Sequence, residues 1–508
     1  MIKKKFKLSP IMMFMLLTGI TIILSGILSF FNLQTEYNTI NSVTGEFDDA
    51  VIEVKSLFSL AGLKYIVTNA VSGFVNFAPL SMLIIVLIGI GILEKTGFTK
   101  TFFTLITRHA KKNTLTFLLI FISMAFSIVG DIGYVVMLPI GALLFKYGKR
   151  NPMGGISASF AAMSFGYGIN IFLSVTDSTL LQLTLNGASM LDESYQISQF
   201  FSIGIMSVAT IIMSIVMTYI TEKVVIPKLP KYEVEEEEVK ITNKELRGLI
   251  MGIGMGIIYI LIVLYMIIPG LPLSGALLDD GGTYYIDKLF GPDSLFSDGF
   301  VFIITLLFCI VGFFYGVFAK TIKSNKDVSE SFGYSLDGIG NILVLIFFAS
   351  LFIGVFKYTE IGSVITAMLS NLIVNLELSG IPLILLLFFI AMISNILMPS
   401  PTLKWAILGV SVPIFMNASL SPEFAQIIYN AGISVTNGLT PLLAYFVIFI
   451  AYMEKFGKEE NVTLFGSIKL LVPYSLAVLV IWFILILGWY ITGIPLGVGA
   501  MPGVEYVA

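Results

Sequence analysis

The 508-residue chain contains one histidine, one cysteine and three tryptophans, and charged residues make up only 12% of it. Each scarcity closes off a class of function. The lone histidine, His109, lies in a basic cluster with Arg108, Lys111 and Lys112, so there is no HExxH motif and no multi-histidine metal site. The lone cysteine, Cys309, rules out an internal disulfide. No GxSxG elbow and no GKS or GKT phosphate loop occurs, which argues against a membrane hydrolase or an ATP-driven pump. The chain is therefore read as no enzyme, with no nucleic-acid partner and no cofactor beyond a coupling Na+. A charged share of 12% is roughly half that of a soluble domain.

Apolar residues fill the gap: they make up 57% of the chain, and the mean hydropathy is +0.96. Runs of about 20 apolar residues recur from end to end, which identifies an all-α polytopic protein of the cell membrane, with the lipid bilayer as its surroundings. The opening MIKKKFK precedes an apolar run from Pro10 to Phe31. That run is too long for a signal peptide, and no small-x-small cleavage site follows it, so it reads as a retained first helix.

Basic residues set the topology, because Lys and Arg favour the cytoplasmic side. Lys3, Lys4, Lys5 and Lys7 place the N-terminus inside; the polar stretch 32–76 reads as external, and segment 78–93 returns to Lys95, Lys100 and Arg108. The apolar stretch 115–145 then has basic residues at both ends, Lys111 and Lys112 before it and Lys146, Lys149 and Arg150 after it. Two crossings need about 40 residues plus a turn. A re-entrant hairpin with its tip at Ser127, Gly130, Asp131 and Gly133 is expected instead. Segments 152–176 and 198–219 go out and back, and a charged cytoplasmic linker at 231–248 separates a first half, 1–230, from a second, 249–508. Segments 249–268, 299–318 and 338–356 follow. The stretch 381–416, broken by SNILMPSPTLKW, reads as a second hairpin entering from outside. Segments 424–452 and 468–490 complete the chain and leave the C-terminus external. Oppositely oriented hairpins are what inverted repeats require. The segments near 11–31, 198–219, 249–268 and 468–490 are read as scaffold and dimer contacts.

Two stretches, 152–180 and 424–452, read as broken helices, and they carry a repeated polar motif, SVTD at Ser174–Asp177 and SVTN at Ser434–Asn437. Interrupted segments at matching places in two halves point to a transporter's binding site, because irregular backbone in lipid survives only where protein buries it or a cavity meets it. The alternative is that Ser and Thr merely bond to their own helix backbone. Asp131 and Asp177 are carboxylates inside apolar segments, where such groups usually serve a pathway; Asp131 could equally cap the half-helix after it. Asn395, Ser400, Thr402, Lys404 and Trp405 mark the second hairpin, with Thr436, Asn437 and Thr440 at the later break. Oxygen ligands near Asn170, Asp177, Asn395 and Asn437 suit Na+. Trp405 could stack on an aromatic solute or simply pack between helices.

Four motifs, GILEKTGF (91–98), GDIGYVVMLPIGALLF (130–145), NPMGGISASFAAMSFGYGINIFLSVTD (151–177) and TLKWAILGVSVPIFMNASLSPEFAQIIYNAGISVTNGLTPLLAYF (402–446), together resemble the aminobenzoyl-glutamate transporter (AbgT) family across nearly the whole chain. The resemblance implies nine transmembrane helices, two opposed re-entrant hairpins, a homodimer, and gradient-driven movement of p-aminobenzoyl-glutamate or of sulfonamide antimetabolites. It carries functional roles to Asp177, Asn395, Trp405 and Pro422, with Thr402 where the family usually has Ser. Asn430 and Ile433 stand where the family typically has Arg and Asp, and an Arg fork suits a carboxylate in a way that Asn does not. Pro399 and Pro401 replace the usual tip glycines.

The expectation is a secondary active transporter of a small organic anion or aromatic amphipathic solute, coupled to Na+ or H+. Asn395, Ser400, Thr402, Trp405, Pro422 and Asn430 would meet solute; Asp131, Asn170, Asp177, Thr436 and Asn437 would serve coupling. A sodium-coupled dicarboxylate carrier, a cation/proton antiporter and a passive channel are the other readings.

Overall fold

The computed structural model describes residues 8–40, 47–169, 171, 174–232, 241–281, 284–291, 294–457 and 462–503. Ser9 caps the first helix by accepting the Met12 amide, and Pro10 takes the position where a missing N–H costs nothing. This helix, α1 (Pro10–Phe30), leads to an antiparallel pair, β1 (Gln34–Ile40) and β2 (Phe47–Glu53), in register from Gln34↔Glu53 to Ile40↔Phe47. The first half continues with α2 (Leu60–Val75), α3 (Ala78–Thr96), α4 (Phe98–His109), α5 (Lys112–Ala125), α6 (Ile132–Tyr147), α7 (Pro152–Phe165), α8 (Val175–Ser189) and α9 (Ile203–Ile220).

Thr242 and Glu245 form a capping box that starts α10 (Asn243–Met266) inside the expected linker, whose glutamate run lies in 233–240, outside the described residues. After it come α11 (Tyr285–Phe290), α12 (Leu295–Ala319), α13 (Asn325–Gly333), α14 (Gly340–Tyr358), α15 (Ile361–Leu376), α16 (Gly380–Leu397), α17 (Pro401–Leu408), α18 (Val412–Asn417), α19 (Pro422–Thr436), α20 (Phe446–Gly457) and α21 (Leu464–Thr492).

Among the described residues, nine helices are long and apolar enough to cross a membrane. The number is the expected one, but the membership differs. Lys112–Val129 and Gly380–Leu397, arms of the expected hairpins, qualify. The stretches 152–180 and 424–452 do not, because each is cut into short halves. The polar stretch 32–76 is also not a plain loop. It holds the strand pair and α2, which packs on α14 and turns Val67, Val71 and Val75 outward at helical spacing. An unexpected α15 fills the gap before 381 and packs on α16. Both helices mix Asn, Ser and Thr into their apolar faces, which hides them from a search for long apolar runs.

The centre belongs to α7 and α19, in which all fourteen and all fifteen residues are buried. Helices buried all round need no polar face. α6 lies along α7, α16 lies along α19, and α21 touches both central helices. Gly155 meets Gly141 so closely that a Cβ on Gly155 would stand 2.0 Å from the Gly141 carbonyl oxygen. Small residues allow such backbone contact in membrane helices. At the periphery, α3, α10 and α12 form a separate cluster around Leu93, Phe98, Val311 and Tyr315. There α10 buries only Gly248, Gly252 and Gly256 and leaves most of its surface outward.

Candidate functional site: two helix breaks and a hairpin tip

The stretch 115–145 is a helix, a break and a helix. α5 tightens into a 3-10 turn at Phe126–Val129, Gly130 takes a positive φ of 65°, and Asp131 precedes α6. Asp131 occupies the cap position of α6 but makes no capping bond, and it is exposed. The rings of Tyr134 and Tyr445 stack at 5.2 Å.

The first break covers the nine residues 166–174 between α7 and α8. Ser174 Oγ accepts the Asp177 amide at 3.2 Å, and Asp177 Oδ2 accepts Ser174 N at 3.0 Å and Ser174 Oγ at 2.7 Å. Asp177 is thus committed to a capping box, the role the sequence offered for Asp131. The hydroxyls of Tyr167 and Thr176 lie 2.9 Å apart across the break. Gly168, at φ +69°, lies against Asn430 of α19, and a Cβ there would come within 3.4 Å of Asn430 Cγ. Asn170 falls outside the described residues.

The second interrupted stretch, 381–416, turns at Met398, Pro399 and Ser400, and Pro401 starts α17 without a side-chain cap. Ser400 and Thr402 are half-buried at this tip. One turn further in, Lys404 is fully buried and donates from Nζ to Asn395 Oδ1. Asn395 in turn donates from Nδ2 to the Ile433 carbonyl and to Thr436 Oγ1, each at 3.2 Å. Trp405, also fully buried, donates from Nε1 to Thr184 Oγ1 at 2.9 Å, and Thr184 donates to Gln426 Oε1 at 2.6 Å. The Trp405 ring lies 4.5 Å from that of Tyr429, whose hydroxyl donates to the Pro401 carbonyl. Gln426 Nε2 is buried with no partner among the described residues.

The second break, 437–445, also spans nine residues, and SVTN closes the helix before it. Trp482 Nε1 donates to Ser434 Oγ at 2.7 Å, and Ser475 donates to the Val435 carbonyl at 2.6 Å. Thr436 and Thr440 donate to the Met392 and Ile396 carbonyls of α16 at 3.0 and 2.7 Å. Asn437 ends α19 and is buried.

Asn395, Lys404 and Thr436 therefore share one network, Trp405 joins Tyr429, and Asn430 meets the first break. Tyr167 reaches Thr176 of α8 while its neighbour Gly168 lies against Asn430 of α19, so the first break touches both helices. Pro422 stands apart at the first position of α19, eight residues and about 12 Å of helix before Asn430. The Asn395 oxygen already accepts a bond from Lys404 Nζ. Sequence reasoning missed Tyr134, Tyr167, Thr184, Gln426, Tyr429 and Tyr445. A signal existed for Gln426: Glu423, Gln426, Asn430 and Asn437 recur three, four and seven residues apart on an otherwise apolar helix.

Helix breaks enclosed by apolar helices, with polar and charged side chains turned inward, are the build of a membrane transporter. The chain belongs to the AbgT family: the model of the "AbgT putative transporter family" matches residues 7–504. The p-aminobenzoyl-glutamate transport protein of Escherichia coli K12 is 26% identical over 496 residues, which is 97% of this chain and 94% of that one. Among solved structures, the Alcanivorax borkumensis YdaH transporter is 26% identical, with 96% of this chain and all of that one covered and a TM-score of 0.49. MtrF of Neisseria gonorrhoeae, described as illuminating a class of antimetabolite efflux pumps, is 28% identical, with 98% of each chain covered and a TM-score of 0.49.

Proposed function

We propose that the protein is a secondary active carrier for a small organic anion with an aromatic part, of the p-aminobenzoyl-glutamate or sulfonamide kind. In this reading it is coupled to an Na+ or H+ gradient and works as a homodimer. The observation that carries the reading is convergence on the wholly buried helix α19: the first break meets it at Asn430, the stretch 381–416 meets it through Asn395 and Trp405, and the second break ends it. Asn395, Ser400, Thr402, Trp405 and Asn430 supply the solute side, with Pro422 setting the start of α19. Asp131, Asn170, Asp177, Thr436 and Asn437 supply the coupling side, and Na+ is the ion those oxygens suit. The stretches 115–145 and 381–416 re-enter the membrane from opposite faces, the two halves are inverted repeats, the N-terminus is cytoplasmic and the C-terminus external. Names of relatives support the solute class, and basic-residue placement supports the orientation.

The test is uptake of radiolabelled p-aminobenzoyl-glutamate into proteoliposomes with and without an imposed Na+ or H+ gradient. Accumulation above the external concentration is expected in one gradient. Flux that only equalises concentrations would replace the carrier with a channel.

A further inference from the structure

Lys404 breaks the rule by which this molecule places its cations. It is the only buried lysine or arginine among the described residues. None of the ion pairs there includes it, and Asn395 Oδ1 is its one hydrogen-bond partner. The ammonium form of lysine carries three donors, so among the described residues two would lack a protein acceptor. Burying a charge without a counter-charge is costly.

The neighbourhood adds to the imbalance. Lys404 is the fourth residue of α17, whose N-terminus has no side-chain cap. A helix N-terminus carries partial positive charge and is the unfavourable end for a cation. α17 meets α19 through the Trp405 and Tyr429 rings, and the carboxylate of α19, Glu423, lies six residues before Tyr429 at the second position of that helix. The buried carboxylates among the described residues are spoken for: Asp177 by Ser174, and Glu423 by Tyr195 at 2.9 Å. Two positive features thus meet at one place without a negative one. The neutral oxygen of Asn395 fills the single place where an anionic acceptor would sit, and a charge-assisted bond is roughly twice as strong as a neutral one.

We propose that Lys404 is the seat of the solute's carboxylate, in a site that selects aromatic acids. This rests on reading the chain as a carrier of aromatic organic anions. The carboxylate arrives past the half-buried tip at Ser400 and Thr402, displaces the Asn395 oxygen, and pairs with Nζ. The adjoining Trp405 and Tyr429 rings receive the aromatic part. Asn395 is then a positioning residue that holds the lysine ready.

The experiment uses the full-length purified protein in detergent and reads thermal stabilisation by two near-isosteric probes, 4-aminobenzoate and the neutral 4-aminobenzamide. The wild type is expected to bind the acid at least about tenfold more tightly than the amide, the scale of one charge-assisted pair. Lys404→Met is expected to reduce that preference to under about twofold and, without ligand, to melt no lower than the wild type, because it removes an unmatched buried charge. Lys404→Arg is expected to keep part of the preference, which covers the case in which the methionine variant fails to fold. No preference in the wild type, a preference that survives in Lys404→Met, or a Lys404→Arg protein with none while Lys404→Met is unfolded would each overturn the proposal. Equal protection by inorganic sulfate would overturn the commitment to carboxylates. Should the preference hold while p-aminobenzoyl-glutamate is not accumulated in vesicles, the carrier reading of that solute fails and the lysine site stands. The reverse result removes the site alone.

Discussion

The two helix breaks have the same length and share three of the four letters of a motif, yet they are held in different ways. At the first, SVTD lies at the far end, and its own Ser174 and Asp177 start α8 through a capping box. At the second, SVTN lies at the near end, and side chains from elsewhere fix it: Trp482 and Ser475 from α21 and Asn395 from α16. One break is tied locally, the other by its neighbours. The chemistry of the fourth letter explains much of this. Asp at the third helical position can accept two donors from the residue that starts the helix. Asn437 sits where a helix ends, and there the unsatisfied groups are carbonyls. A locally tied break keeps its shape when neighbouring helices shift. A break tied from outside shifts with them, so the second is the better placed to register movement of α16 beside it.

That contrast can be broken by substitution. The largest effect is expected for Trp482→Ala, which removes a fully buried indole and the donor to Ser434 together. A loss of about 3–5 kcal/mol is expected, read as a lower unfolding temperature in detergent. Ser174→Ala removes one helix cap and should cost about 1 kcal/mol by the same measurement. If Ser174→Ala proved the more damaging of the two, the assignment of local and external ties would be reversed. The smallest effect on stability is expected for Asp177→Asn, about a few tenths of a kcal/mol, because Asn remains an acceptor for the cap. This variant also sharpens the comparison through uptake assays. Stability and transport both unchanged would make Asp177 a cap only; stable protein with transport lost would make its charge part of coupling.

Much of this arrangement was legible in the residues. SVTD, SVTN and the SNILMPSPTLKW interruption located both breaks and the second tip, because polar letters and prolines in apolar runs have few other uses. What was hidden depended on partners far away in the chain. The periodicity of α17 does not say that Lys404 turns inward, since a lysine near a helix start usually reaches for water; Asn395, nine residues earlier, holds it in. The exchange of roles between Asp131 and Asp177 was equally unreadable. Both precede or enter a helix, and only the position of the Ser174 hydroxyl decides which of them caps. α15 and α2 escaped because Asn, Ser and Thr interrupt their apolar faces, so neither shows as a long apolar run.

The contact of Gly155 with Gly141 has a mechanical consequence. Two helices that touch through their backbones cannot slide past each other without opening a gap along their whole seam, so α6 and α7 must travel as one stiff lever. The two helices run antiparallel, with Gly133 beside Met163, so one and the same end of that lever carries both Asp131 and the start of the 166–174 break. Those two places therefore move together, and whatever bends during a working cycle must lie outside this pair.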